Sequence, residues 1–205
     1  MADGAGRYGQ DGICLYLHKA EGQEGEASGK RDSRRLLALA AADYAAGIGK
    51  AAPVSAPEKG PYGKPYFPQA PWLHFSISHS GAYWVCAVSG QEVGADIQLR
   101  REKGKRYEGR ISARLFHKKE QEYLDFGGDF IDVWCAKESH VKYTGRGIGR
   151  DFSAFAVAGA EGLLPCVEKD GPEGVSAALR RLEVDSDYAL CVCAARLGEV
   201  RLIWL

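Results

Sequence analysis

The chain has 205 residues, with 27 Lys+Arg set against 27 Asp+Glu. A zero balance argues against a dedicated nucleic-acid binder, which carries a basic excess. Hydrophobic residues make up 45% and charged residues 26%, enough for a core that needs no disulfide or structural metal. No apolar run reaches the roughly 18 residues of a membrane span.

Residues 1–11 read as a flexible tail, polar and without the apolar stretch of a signal peptide. With no export signal, the six cysteines read as free thiols in a reducing cytoplasm. Their scattered spacing has no CxxC pair, and no role is assigned to them. GICLYLHKA, at 12–20, alternates as a strand does, and EGQEGEASGK is a polar loop. A helix is expected from Asp32 to about Gly47, rich in Ala and Leu. Six prolines between 51 and 72 (Pro53, Pro57, Pro61, Pro65, Pro68, Pro71) call for an extended loop. LHFSISHS and AYWVCAVS then form a hairpin about Ser80-Gly81. In QEVGADIQ, Val93, Ala95 and Ile97 share one face, and Gly94, Asp96 and Gln98 the other.

Residues 99–119 hold nine Lys/Arg (Arg100, Arg101, Lys103, Lys105, Arg106, Arg110, Arg114, Lys118, Lys119) against Glu102 and Glu108. This local charge of +7 is either a solvated linker or a site for phosphates or an acidic partner. HKKEQEYLDF is a short helix. DFIDVWCAKESHVKYTG is a second one, from an Asp129 cap to a Gly145 stop. FSAFAVAG, GLLPCVE, ALRRLEV, YALCVCAAR and EVRLIWL read as strands. The expected fold is α+β, with two similar halves of about 100 residues: 12–98 and 113–205, joined by a charged linker at 99–112.

Asp96 and Glu138 are the carboxylates to watch. Gly94 leaves room beside Asp96 for a ligand or another backbone. Trp134, Glu138 and Lys142 lie along one side of their helix. Glu138 therefore pairs either with Lys142 or, through a divalent cation, with Asp96. Ser78 and His79, beside Ser80 and Gly81, offer hydroxyls and an imidazole to a phosphate, or simply end a strand. Gly145-Arg146-Gly147-Ile148-Gly149 does not open a helix after a strand, so no dinucleotide fingerprint is present.

In order and spacing, GKPYF (63–67), FSISHSG (75–81), GADIQ (94–98), FHKKE (116–120) and WCAKESHVKYTGRGI (134–148) resemble one family. It is the 4′-phosphopantetheinyl transferase superfamily, in its longer, surfactin-synthetase-activating type. The resemblance covers roughly residues 30–155. It implies two halves packed in pseudo-twofold fashion, each a small antiparallel sheet with a long helix, in a monomer. It further implies transfer of 4′-phosphopantetheine from coenzyme A to a serine of an apo acyl or peptidyl carrier protein, releasing 3′,5′-ADP.

By motif, Asp96 and Glu138 would hold Mg²⁺, with Gln98 standing where many relatives have a third acid. Lys142 would neutralise the diphosphate. Ser78 and His79 would touch coenzyme A phosphates, Lys64 would line the nucleotide pocket, and Lys30, Arg31 and Arg34 would lie near the 3′-phosphate. Glu138 would activate the serine, with Glu120 a second assisting group. The acidic carrier would dock on Arg100, Arg101, Arg110 or Arg114. No nucleic acid or membrane is expected as partner. Two alternatives stay open: a coenzyme A or nucleotide-binding module without transferase activity, and an interaction protein whose charged helix pairs its own side chains.

Overall fold

The computed structural model describes Tyr8 and residues 12–20, 25–100, 105–169 and 177–205; side chains of 25–31, 105, 106, 150 and 151 lie outside the described residues. Strand β1 (Ile13–Lys19) leads to helix α1 (Gly25–Gly47). The helix thus begins within the stretch expected as loop, because glycines and charges there mask any apolar period. The proline-rich connection holds only a two-stranded ribbon, β2 (Glu58–Lys59) and β3 (Pro65–Tyr66). Strands β4 (His74–Ser80), β5 (Tyr83–Ser89) and β6 (Val93–Leu99) follow where the alternation placed them. Gly81 sits at φ 53° in the β4–β5 turn, a conformation that favours glycine.

The charged stretch contains a helix, α2 (Lys105–Leu115). Ile111 and Leu115, one turn apart, pack it on the core; two apolar positions among so many charges were too few to show a period. Helices α3 (Lys118–Asp125) and α4 (Phe130–Thr144) come next. Asp129 caps α4 by accepting from the amides of Ile131 and Asp132 at 2.7 and 3.2 Å, and Gly145 ends it at φ 69°. A 3₁₀ turn at Arg150–Ser153 leads to strands β7 (Phe155–Gly159), β8 (Gly162–Lys169), β9 (Ala178–Leu182), β10 (Tyr188–Ala194) and β11 (Val200–Trp204).

The strands form two sheets, ordered β11-β1-β5-β4 and β6-β10-β9-β8-β7. The first is not wholly antiparallel, since β11 runs parallel to β1. Each sheet also borrows a strand from the other part of the sequence: β11 joins β1, and β6 pairs with β10. The elements stack as α1, first sheet, second sheet, α4. One core lies between α1 and the first sheet (Leu36, Tyr44, Phe75, Trp84), a second between the sheets (Leu15, Val85, Ile97, Val192) and a third under α4 (Val133, Ala136, Val157, Cys191). Strand β1 therefore alternates between two buried faces, not between core and solvent. Tyr8, within the expected tail, is buried and stacks on Tyr44 at 5.8 Å. The thiols of Cys86, Cys135, Cys191 and Cys193 are free and buried. No helix among the described residues is long and apolar enough to cross a membrane.

Candidate active site

The site begins where α4 crosses β6. A Cβ on Gly94 would lie 2.0 Å from the Ser139 carbonyl oxygen and 2.3 Å from the Tyr143 nitrogen. The room beside Asp96 is thus filled by another backbone. That close approach lays Glu138 and Lys142 of α4 beside Asp96 of β6.

Asp96 is 1% exposed and its carboxylate is held by three donors. Ser78 Oγ and Lys142 Nζ both donate to Oδ1 at 2.6 Å, and Gln98 Nε2 donates to Oδ2 at 2.8 Å. Lys142 also donates to the Ile77 carbonyl at 3.3 Å. Charge-assisted bonds of this kind offset the cost of burying the carboxylate. Glu138 has less compensation. Burial, then the Asp96 charge, push its carboxyl up to about 7, against the opposing pull of Lys142.

Serines join the two sheets here. Ser76, Ser78 and Ser80 point from β4 toward β6: Ser76 Oγ accepts from the Ala95 amide at 3.0 Å, and Ser80 Oγ from the Leu99 amide at 2.9 Å. Sequence reasoning missed Ser76, and named Ser80 only as a neighbour of Ser78 and His79. The signal was a serine at every second position of β4, opposite Phe75 and Ile77.

A cleft of about 300 Å³ opens beside these groups, lined by Lys64, Phe75, Ile77, Glu138, Lys142 and Ile148 among others. The Lys64 stem lines it and passes within 3.1 Å of the position of a Cβ on Gly145. Its ammonium turns away, donating to the carbonyls of Tyr143 at 2.9 Å and Val93 at 3.2 Å and to Glu92. A cation on the last carbonyls of α4 suits the negative end of a helix.

The other expected residues fall at varied distances from this centre. His79 is exposed and opposite Trp84, whose indole donates to Ser33 of α1 at 3.0 Å. Arg34, also exposed, follows Ser33 on that helix. The side chains of Lys30 and Arg31 lie outside the described residues, as does Arg101. Arg100 is not presented to a partner, because Asp129 and Asp132 hold its guanidinium. Glu120 is not brought to the site: it is fully buried and ion-paired with Lys137, which projects from α4 away from Glu138. Gln98 uses its amide as a donor to Asp96, so the expected ligand is here a second partner of the first carboxylate. Among the described residues no three His, Cys, Asp or Glu side chains gather as metal ligands.

Residues 92–193, which contain Gly94, Asp96, Glu138 and Lys142, match the model of the 4′-phosphopantetheinyl transferase superfamily. The chain belongs to that superfamily. A 4′-phosphopantetheinyl transferase of Bacillus subtilis is 36% identical over 143 residues, which span 65% of this chain and 60% of the relative. The 4′-phosphopantetheinyl transferase Sfp of Bacillus subtilis (strain 168) is 35% identical over 144 residues, again 65% of this chain and 60% of the relative. The L-aminoadipate-semialdehyde dehydrogenase-phosphopantetheinyl transferase of Saccharomyces cerevisiae is 31% identical over 129 residues, 55% of this chain and 47% of the relative. The superfamily match covers the whole second sheet up to β10 together with α4, the elements that carry the carboxylates.

Proposed function

We propose that this protein transfers the 4′-phosphopantetheine arm of coenzyme A to a serine hydroxyl of an apo carrier protein, giving the holo carrier and 3′,5′-ADP. The observation that carries this reading is the juxtaposition of Asp96, Glu138 and Lys142 beside the cleft. In the transfer, the serine oxygen attacks the phosphorus that bears pantetheine. The bond from that phosphorus to the bridging oxygen breaks, and the nucleotide leaves with its phosphate. The serine proton must go to a base. Glu138, on the wall of the cleft beside Lys142, is placed to take it, directly or through one water. Lys142 places an ammonium where negative charge develops on the leaving phosphate.

The donor set fits a hard divalent cation. Two carboxylates, the Asp96 charge raising the proton affinity of Glu138, with an amide side chain nearby, make an oxygen-rich site suited to Mg²⁺ with retained waters. Asp96 and Glu138 would hold it, with Gln98 at the margin, and it would supply charge neutralisation to the diphosphate. Ser78 keeps Asp96 in place. His79 and Arg34, with Lys30 and Arg31, are proposed for the phosphates at the nucleotide end, and the Lys64 stem for the wall of the base pocket. An acidic carrier would meet Arg110 and Arg114, both exposed on α2. Both sides of the cleft come from one chain, which suits a cytoplasmic monomer.

The deciding experiment incubates the protein with coenzyme A, Mg²⁺ and an apo carrier protein. A mass gain of one phosphopantetheine on the carrier is expected. Tight coenzyme A binding without that gain would replace this reading with the binding-only one.

A further inference from the structure

Glu120 and Lys137 form an ion pair in which both side chains are 0% exposed. Lys137 Nζ lies 3.0 Å from Glu120 Oε1 and 2.9 Å from Oε2. The pair does more than neutralise itself. Strand β7 is the outer strand of the second sheet, and β8 covers only one of its edges. On the open edge, Lys137 donates to the Phe155 carbonyl at 2.8 Å, and the Val157 amide donates to Glu120 Oε1 at 2.8 Å. Residues i and i+2 of a strand present their carbonyl and amide to the same side, so the ion pair occupies the place of a missing strand partner. The other carboxylate oxygen accepts from the His117 amide at 2.8 Å and completes the capping box of α3. Around the ammonium lie the rings of Phe155, Phe152 and Phe116, with centroids at 4.0, 5.1 and 5.8 Å.

Stability alone is a poor reason for such a pair. Desolvating two charges is costly, and well-packed apolar side chains of similar volume commonly do as well or better. What an apolar pair lacks is direction. Lys137 precedes Glu138, and one residue of helix is a rotation of about 100°. Fixing Lys137 against β7 therefore fixes where Glu138 points on the opposite flank of α4. The Gly94 contact sets how closely α4 sits on β6, and Val133 and Ala136 pack its inner face; these apolar contacts lack the directed bonds that the ion pair adds on the flank toward β7.

We propose that Glu120 and Lys137 are positioning residues: strapped to the open edge of β7, they set the rotation of α4 and so the placement of Glu138 and Lys142 against Asp96. The kinetic part of the test rests on the transferase reading; the structural part does not.

The test is the double variant Glu120→Leu/Lys137→Met, which replaces the pair by apolar groups of similar size, beside Glu120→Gln, which keeps an acceptor for Val157. The double variant is expected to fold and to keep its coenzyme A KM within about threefold. Its kcat should fall by about tenfold or more, while Glu120→Gln retains most of kcat. A folded double variant with kcat within twofold of wild type overturns the proposal. Crystal structures of wild type and double variant give an answer without turnover. The Glu138 carboxylate should move relative to Asp96 in an otherwise superimposable fold, and an unmoved Glu138 overturns the proposal even if no carrier is ever modified. Should the double variant not fold, Glu120→Gln alone is compared with Glu120→Ala. Equal kcat in those two folded proteins overturns the proposal as well. Absence of transfer by wild type sinks the functional reading and leaves the structural comparison standing.

Discussion

Asp96 has no room for an ordinary solvation shell, so each of its three donors matters individually. Ser78→Ala removes a hydrogen bond to a buried charged group and is expected to cost about 1.5–3 kcal/mol of stability, read by urea unfolding. Glu138→Gln is expected to lower kcat by at least about 100-fold while the circular dichroism spectrum and melting transition persist, since the amide keeps the shape but cannot take the serine proton. Lys142→Met should lower kcat by about 100-fold, the usual effect of losing one donor to developing charge.

Glu92 gives a pH prediction. A hydrogen bond from His74, and then the Lys64 ammonium, hold its carboxyl at about 2 instead of 4.5. Its folded-state proton affinity is lowered, so its stabilisation is fully present above the unfolded value. That stabilisation is lost as pH falls through the folded one. Glu92→Gln should be less stable than wild type at pH 7, with the gap closing between about pH 4.5 and 2. Because the side chain is 52% exposed, the gap should be no more than about 1 kcal/mol.

At the scale of elements, α4 against β6 is the junction on which the site depends. Gly94→Ala would drive a methyl into the backbone of α4 at Ser139 and Tyr143, neither of which can step aside without the helix moving. The expected cost is about 2 kcal/mol or more, with kcat falling in the protein that remains folded. Sequence patterning was sufficient to locate both elements: alternation assigned Val93, Ala95 and Ile97 to one face, and Asp129 and Gly145 bracketed the helix. It missed α2, because Ile111 and Leu115 are a single turn of apolar signal in a run of cations. It also misjudged Glu120. A carboxylate in a motif reads the same whether it faces substrate or, as here, the edge of β7.

For the molecule as a whole, two sheets that exchange strands explain how one chain presents both walls of a cleft. Strand β6 follows the first sheet in sequence yet pairs with β10, so its Asp96 sits where the sheets meet. The neutral total of 27 against 27 conceals local bias. Arg100 is consumed by Asp129 and Asp132, which leaves Arg110 and Arg114 as exposed cations among the described side chains of α2. Reversal of both to Glu is expected to raise the carrier KM several-fold and reduce its salt dependence, with the coenzyme A KM unchanged. Unaltered carrier kinetics would place docking elsewhere.

By itself the sequence determined most of the elements, the identity of Asp96, Glu138 and Lys142, and the family they resemble, because apolar periods, caps and glycines act through neighbours a few residues away. The tertiary structure alone decided three things: that Ser78 and Gln98 serve Asp96, that the Lys64 ammonium caps α4, and that Glu120 straps Lys137 to β7. Apart from the Gln98 bond, which joins neighbours on one face of β6, each is a hydrogen bond between residues brought together by chain crossings. Direction and partner in such bonds follow from packing, which no local pattern encodes.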